Sequence, residues 1–165
     1  LLYLLSDGDA LKVAGYMNDL NTKGYYKVDD AILNKLKETF VAAYCDDTVT
    51  LETIKEVYEK DGYLCDTHTA VAIAVYEDYK AKTGDERPAI IASTASPYKF
   101  AASVLEALGS NASNDEFETV EMLSKLTNTN PPAPIKELRG KQVRFNNLCT
   151  PETMDKAVLE YLNIK

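Results

Sequence analysis

Apolar residues recur every three or four positions over several stretches of this chain, the spacing that places them on one face of an α-helix. We predict a first helix between Asp9, whose side chain can cap it, and Gly24, which can end it. Thr50 is the predicted cap of a third helix. The helix over 69–82 is apolar on nearly all sides, so we expect it to be deeply buried. The helix that Thr50 would cap extends over about 51–61. The same spacing and caps predict further helices over about 31–40, 98–108, 117–126 and 151–162.

Short apolar runs between these helices predict strands. Residues 89–92, which follow Pro88, form a continuous apolar run that is bounded by turn residues. Residues 41–45 have a similar pattern, and residues 25–28 fit a short strand or an extended connector. The helix-strand-helix order is typical of an α/β layer, in which ligands bind beyond the carboxyl end of a parallel strand. This order places a candidate site at residues 93–96.

Together these patterns predict an α/β fold, helix-rich and with a few mostly parallel strands. The chain has 165 residues, of which 45% are hydrophobic, so it is long enough to bury a sizeable core. We expect a single unit over residues 1–165, with a core over 1–109 and a helical tail over 110–165.

Composition narrows the range of partners. The net charge of −8 gives no electrostatic support to binding of a phosphate backbone, so we expect no nucleic-acid partner. Apolar runs fall short of the roughly 20 residues that a membrane-spanning helix requires, so we expect no membrane association and a cytoplasmic location. The cysteines Cys45, Cys65 and Cys149 are widely spaced and odd in number, which favours reduced thiols.

The amino-terminal end of the sequence is unusual. It starts without Met, in the apolar run Leu1-Leu2-Tyr3-Leu4-Leu5, and an uncapped apolar run is a poor beginning for a helix. We therefore expect the chain to be a part of a longer polypeptide.

The first candidate for chemistry contains the single histidine of the chain. His68 lies just before an apolar helix, close to Cys65 and Asp66. One Cys-x-x-His pair falls short of the four ligands of a structural zinc site, so we predict no metal site. Two interpretations stay open. Either Asp66 caps the helix and backbone groups satisfy His68, or His68 lies at the wall of a pocket.

The second candidate is Ser93-Thr94-Ala95-Ser96-Pro97-Tyr98-Lys99-Phe100, where hydroxyl groups follow the predicted strand. A serine nucleophile needs a positioned base, and no Gly-x-Ser-x-Gly turn is present here, which argues against a hydrolase. The simplest alternative is that these hydroxyl groups cap the next helix. The acidic pairs Asp29-Asp30 and Asp46-Asp47 are likewise better explained by helix N-termini than by acid–base catalysis.

Taken in order, these segments resemble the later part of threonine synthases. Asp66-Thr67-His68-Thr69-Ala70-Val71-Ala72 is similar to the family's Asp-Pro-His-Thr-Ala-Val-Gly, and the run from Ser93 to Phe100 is similar to its Ser-Thr-Ala-His-Pro-Ala-Lys-Phe. The resemblance covers roughly residues 1–108, with a weaker tail beyond. Two such motifs about 25 residues apart, in the right order, are more specific than either motif alone.

The resemblance implies a fold-type II pyridoxal-phosphate (PLP) enzyme, a carbon–oxygen lyase that converts O-phosphohomoserine and water to threonine and phosphate. It implies that Thr94, with Ser93 beside it, binds the cofactor, because the family has at Thr94 a hydroxyl that hydrogen-bonds the pyridine nitrogen. It places Asp66, His68 and Lys99 in the same pocket or around it. The cofactor-attaching lysine and the glycine-rich phosphate loop lie upstream in the family, so we expect no catalytic residue here, and the chain alone to be inactive and not to bind PLP.

The sequence departs from the family pattern at Thr67, Ala72 and Ser96, where the family has Pro, Gly and His. The expected partner is the amino-terminal remainder of the enzyme, and exposed apolar surface would also allow a homodimer. One alternative is a non-catalytic α/β module that binds a partner, and another is a fold-type II relative of the cysteine or serine dehydratase kind. Part of a larger enzyme should expose a large apolar patch, whereas a self-contained module should not.

Overall fold

The computed structural model describes residues 1–164, which form helices joined by turns and loops. No helix in this described range is long and apolar enough to cross a bilayer. Short 3-10 helices, Pro97–Phe100 and Pro151–Thr153, lead into α6 and α9. The α-helices are α1 (Leu2–Leu5), α2 (Ala10–Lys23), α3 (Asp30–Thr39), α4 (Asp47–Asp61), α5 (Thr67–Thr83), α6 (Ala101–Ala107), α7 (Glu116–Thr127), α8 (Ala133–Leu138) and α9 (Met154–Tyr161).

Aspartate side chains begin the longer helices. Asp9, Asp29, Asp46, Asp66 and Asp115 each accept a hydrogen bond from a backbone N–H of the first turn, which satisfies a donor that the helix itself leaves unpaired. The helix predicted to begin after Asp9 is confirmed. It ends as predicted at the next glycine, which adopts the left-handed conformation.

The helix that we expected to begin after Thr50 starts one turn earlier. Asp46 caps α4 by accepting the N–H of Val49 at 2.9 Å. Thr50 lies inside the helix, and its hydroxyl donates to the carbonyl of Asp46 at 2.8 Å. The prediction of Thr50 as the cap is therefore wrong, because an aspartate four residues earlier satisfies the same turn.

Residue contacts divide the chain into two units, the first of which is Leu1–Cys45. Here α1 contacts both α2 and α3. Ile32 is the buried hydrophobic side chain of this unit among the described residues. Polar contacts supplement it: Lys12 pairs with Asp29 at 2.9 Å, and the Lys35 ammonium donates to the carbonyl of Leu5 at 3.0 Å.

The second unit begins at Asp46 and contains the main core. In it α4 packs against α5 and α6, and α6 packs against α7. Helices α6 and α7, which lie on either side of residue 109 in the sequence, share this core. The side chains buried together include Ile54, Cys65, Ala70, Val104, Leu105 and Leu123.

Helix α5 is less buried than its composition predicted. Among its residues Thr69 and Ala70 are buried, while Val71, Ile73 and Val75 are half-buried. The expectation of a deeply buried helix is therefore wrong for this chain, because α4 covers one side of α5 and leaves other apolar positions partly open to solvent.

The predicted mostly parallel strands are not confirmed. Residues 1–164 contain no strand, and residues 25–28, 41–45 and 89–92 lie outside regular structure. Ile90, in the clearest predicted strand, is fully exposed. A strand needs a neighbouring strand to satisfy its backbone N–H and C=O groups, and the described residues supply none beside this segment.

Candidate functional site

The amino-terminal end of α5 is held by a fully buried carboxylate. Asp66 accepts the backbone N–H of His68 at 2.9 Å and that of Thr69 at 3.3 Å on one oxygen, and the Thr69 hydroxyl on the other. These donors offset the cost of burying the charge, and the positive end of the helix dipole favours it there. The helix-capping interpretation of Asp66 is confirmed.

Hydroxyl groups extend from this carboxylate toward the second motif. The hydroxyls of Thr69 and Ser93 lie 3.2 Å apart, and the Tyr63 hydroxyl donates to Ser93 at 3.2 Å. We call Asp66, Thr69, Ser93 and Tyr63 the hydroxyl chain. It brings together the two motifs, which are separated by more than 20 residues in the sequence.

Thr94 lies next to the hydroxyl chain and is not part of it. Its side chain is exposed and makes no side-chain hydrogen bond within the described residues. The hydroxyl of Thr94 is thus open to a group from outside this chain, whereas the hydroxyl of Ser93 already has two partners. Ser96 caps the 3-10 helix Pro97–Phe100 through the N–H of Tyr98 at 3.3 Å, as the capping alternative predicted.

The ring of Phe100 lies close to both of the remaining predicted site residues. The His68 ring stands 5.0 Å from the Phe100 ring, and the Lys99 ammonium lies 5.4 Å from the centre of that ring. The His68 side chain is 65% exposed, with Nδ1 3.5 Å from an Asp66 oxygen and 3.3 Å from the Thr67 hydroxyl. The contacts of the His68 ring within the described residues are thus with side chains and not with backbone groups, and much of the ring is open to solvent.

Cys65 precedes the capping aspartate and is inert in this setting. Burial, reinforced by the charge of Asp66, raises the pKa of the Cys65 thiol to about 11. A protonated thiol is a poor nucleophile and a poor metal ligand. The described residues also contain no group of three or more His, Cys, Asp or Glu side chains placed to hold a metal ion.

A separate cavity of about 410 Å3 lies in the second unit. Lys99 is the one predicted site residue on its wall, so the cavity does not coincide with the hydroxyl chain. Sequence patterns gave no signal for it, since its walls come from segments on both sides of Gly109. Its apolar lining includes Phe100, Phe117, Val120, Ile135 and Leu138.

Two residues of the hydroxyl chain were missed by the sequence analysis. Thr69 stands inside the first quoted motif, and Tyr63 stands three residues before Asp66, but neither was singled out. Their side chains gain importance only from the position of Ser93, which depends on the packing of a loop on α5. The pattern of polar and apolar residues along the sequence does not predict such a contact between distant segments.

Comparisons with known proteins agree with the resemblance. The profile of the family described as "Threonine synthase, C-terminal" matches residues 69–158. Threonine synthase of Saccharomyces cerevisiae is 37% identical over 69% of this chain and 24% of its own length. Human threonine synthase-like 1 is 32% identical over 79% of this chain and 17% of its own length.

Solved structures show the same relationship. The crystal structure of yeast threonine synthase has a TM-score of 0.68 at 31% identity, covering 96% of this chain and 31% of that one. A PLP-bound threonine synthase from Brucella melitensis has a TM-score of 0.71 at 24% identity, covering 97% and 30%, which shows a common fold. The chain spans less than a third of the length of these relatives.

Proposed function

This chain belongs to the threonine synthase family as its carboxy-terminal part, and from this premise we propose that it supplies one wall of a pyridoxal-phosphate site. The enzyme of which it is part would convert O-phosphohomoserine and water to threonine and phosphate, as a carbon–oxygen lyase. The substrate and the cofactor are part of the proposal, since the chain covers only a fraction of its relatives.

The observation that carries the proposal is the state of Thr94. Its hydroxyl is exposed, has no side-chain partner within the described residues, and follows directly after the anchored Ser93. A neutral hydroxyl is a suitable partner for a pyridine nitrogen, because it donates one hydrogen bond and carries no charge. The residues present therefore fit one side of the cofactor.

PLP, when bound, supplies an electron sink for replacement chemistry at the substrate's side chain. Thr94 would hold the pyridine nitrogen by donating a hydrogen bond to it. Unlike a carboxylate, a hydroxyl group does not enforce protonation of the ring. His68 and Lys99, which both lie next to the Phe100 ring, would contribute an imidazole and an ammonium group at one edge of the site. Asp66 is buried, so its contribution would come through the residues that it holds.

We assign the attachment of the cofactor to the amino-terminal remainder of the enzyme. The seven glycines of this chain are at least seven residues apart, so the sequence has no glycine-rich loop to cradle a phosphate. The isolated chain is accordingly proposed to be inactive and not to retain PLP.

Strongly exposed apolar side chains occur in both units, and we propose that a partner covers them. Leu11 is 86% exposed, and Leu4, Tyr44, Ile90 and Leu148 are also strongly exposed. Extensive exposed apolar surface marks a contact with another chain or segment. The amino-terminal remainder is the partner that we propose, and a homodimer is the alternative partner. A non-catalytic binding module is the alternative function that the following experiment separates from the enzyme.

The test is to titrate PLP into the purified chain, alone and together with the amino-terminal remainder, and to record the visible absorbance of bound cofactor. Borohydride then fixes the cofactor covalently, and mass spectrometry locates the modified lysine. We expect a stoichiometric signal only in the mixture, with the modified lysine outside these 165 residues.

Variants at Thr94 make the test specific. Thr94→Val removes the donor and should weaken cofactor binding about tenfold, whereas Thr94→Ser should retain it. Thr48→Val, an exposed threonine of α4, is the matched control. A specific lysine adduct within the chain alone would overturn the proposed division of the site, and association without any cofactor signal would favour the binding module.

A further inference from the structure

The segment that carries Thr94 has few hydrogen bonds of its own. Residues 88–95 all belong to the described part of the chain, and their only hydrogen bonds are the two made by the Ser93 side chain. The hydrogen bonds that hold the backbone near Thr94 in place are therefore those of the Ser93 side chain.

The protons of the hydroxyl chain have a fixed direction. A threonine hydroxyl has one proton, and that of Thr69 is given to Asp66, since a carboxylate can only accept. In the contact between Thr69 and Ser93, the Ser93 hydroxyl must therefore donate. The Tyr63 hydroxyl donates to Ser93 in turn, so every proton of the chain points toward Asp66.

Ser93 and Thr94 consequently differ in what they can offer a ligand. The proton of Ser93 is committed to Thr69, so Ser93 can offer a lone pair but no donor. The proton of Thr94 is not committed. A ring nitrogen that needs a donor would be served by Thr94 alone.

We propose that Asp66, Thr69 and Tyr63 are positioning residues, which hold Ser93 and thereby aim the hydroxyl of Thr94 at the cofactor's ring nitrogen. This inference rests on the proposed function. Ser93 acts in it as the link between the buried end of α5 and Thr94, and not as a donor to the cofactor.

Burial shows which links of the hydroxyl chain are rigid. Asp66 and Thr69 are buried at the start of α5, so they form a fixed base for Ser93. Tyr63 is half-exposed, and water can replace its hydroxyl. We expect the effect of removing a hydroxyl to be largest at Thr69 and Ser93 and smallest at Tyr63.

The experiment uses the full-length protein that contains this chain. The dissociation constant for PLP is measured by absorbance titration for Thr69→Val, Thr69→Ser, Ser93→Ala and Tyr63→Phe. We expect a rise of about three- to tenfold for Thr69→Val and Ser93→Ala, of twofold or less for Tyr63→Phe, and recovery in Thr69→Ser. Thr53→Val, which removes a buried hydroxyl bonded only to its own helix, is the matched control and should change nothing.

A second measurement needs no cofactor. In the apoprotein with 13C-labelled threonine methyl groups, the Thr94 signal is identified by its loss in Thr94→Val. Its order parameter should fall in Thr69→Val and Ser93→Ala and return in Thr69→Ser. Ser93 is exposed, so Ser93→Ala tests the link even if Thr69→Val does not fold.

The double variant Thr69→Val/Thr94→Val decides whether the effect passes through Thr94. We expect no further loss of PLP affinity beyond that of Thr94→Val alone. A full additional loss, or an unchanged Thr94 methyl signal in Thr69→Val and Ser93→Ala, would overturn the inference.

The two proposals fail in different ways. If Thr94→Val weakens PLP binding while Thr69→Val and Ser93→Ala bind like the wild type, the positioning role is wrong and the proposed site stands. If Thr94→Val binds PLP normally, although the Thr94 methyl signal of the otherwise unchanged protein responds to Thr69→Val, the cofactor role of Thr94 is wrong. The claim that the hydroxyl chain serves the cofactor is then wrong as well.

Discussion

In the unit Leu1–Cys45, Ile32 is the one buried side chain among the described residues, whereas the unit that begins at Asp46 buries a cluster around Ile54, Leu105 and Leu123. Both units are made of helices with aspartate caps. The difference lies in what the helices are packed against: α4 to α7 bury side chains among themselves, and α1 to α3 hold together largely through surface contacts such as Lys12–Asp29.

This comparison teaches that helix capping and core burial are separate properties, since both units have the caps and only the second has the buried cluster. Capping and surface ion pairs each contribute about 1 kcal/mol or less, while a buried leucine contributes several times more. The first unit therefore has less buried apolar surface of its own to stabilise it, as far as the described residues show. The following predictions test the comparison, beginning with the largest expected effect.

Truncating a buried leucine of the second unit should have a far larger effect than truncating an exposed leucine of the first unit. Leu105, which is 1% exposed, sits at the centre of the second unit, so Leu105→Ala should lower the free energy of unfolding by about 2 to 5 kcal/mol. Leu11→Ala in the first unit should change it by less than about 0.5 kcal/mol in this chain. Urea denaturation followed by circular dichroism measures both. Equal losses at the two positions would refute the difference in packing.

Thiol reactivity should report how well the core of the second unit is closed. Burial raises the pKa of Cys65 from 9.0 to about 11, which lowers its thiolate fraction near neutral pH about a hundredfold. Cys65 should therefore react at least about a hundredfold more slowly with a thiol reagent than the exposed Cys149 of the same unit. Single Cys→Ser variants assign the phases. Fast modification of Cys65 in folded protein would show that the second unit opens readily.

The helix caps of the two units should contribute differently to the free energy of unfolding. Asp66→Ala removes the cap of α5 and leaves the buried Thr69 hydroxyl without its acceptor, so we expect a loss of about 2 kcal/mol. Asp29→Ala, whose side chain is partly exposed, should cost less because water replaces the lost acceptor. Asp66→Asn keeps an acceptor and should fall between wild type and Asp66→Ala. Denaturation midpoints of the three variants give the order.

Acidification should weaken the first unit by a small amount. The N–H of Ile32 and the ammonium of Lys12 hold the pKa of Asp29 below its usual value of 3.8. Because the pKa of Asp29 is lower in the folded protein than in the unfolded one, ionised Asp29 stabilises the folded state at pH values above the unfolded pKa. This stabilisation is lost as the pH falls through the folded pKa, so the loss should occur below about pH 4. Comparing melting temperatures of wild type and Asp29→Asn across this range isolates the effect, with Asp30→Asn as control. A loss of stability at higher pH would contradict the assignment.

The helices of this chain were largely predictable because their signals are local. Asp9 and Asp29 stand directly before apolar residues at helical spacing, and an N-cap bond joins groups only two or three residues apart. Thr50 was misassigned for the same local reason: it resembles a cap, and only the position of Asp46 decides which turn begins the helix.

The candidate site was predictable in part. The two motifs pointed to Asp66, His68, Ser93, Thr94 and Lys99, and the packing of α5 brings the motifs together through Thr69 and Phe100. The role of the individual hydroxyl groups was not predictable. It depends on whether the hydroxyl proton of Ser93 or that of Thr94 is already used in a hydrogen bond. The contact that decides this joins Ser93 to Thr69, more than 20 residues away in the sequence.

The sequence by itself determined most of the helix positions, caps such as Asp9 and Asp29, and the family to which the chain belongs, since each of these is carried by residue types at short and fixed spacing. Tertiary structure decided the division into two units, the engagement of Ser93 and the exposure of Ile90. The physical reason is that burial and hydrogen-bond satisfaction depend on what the rest of the chain places nearby. The apolar run 89–92 has the composition of a strand, but composition supplies no partner for its backbone.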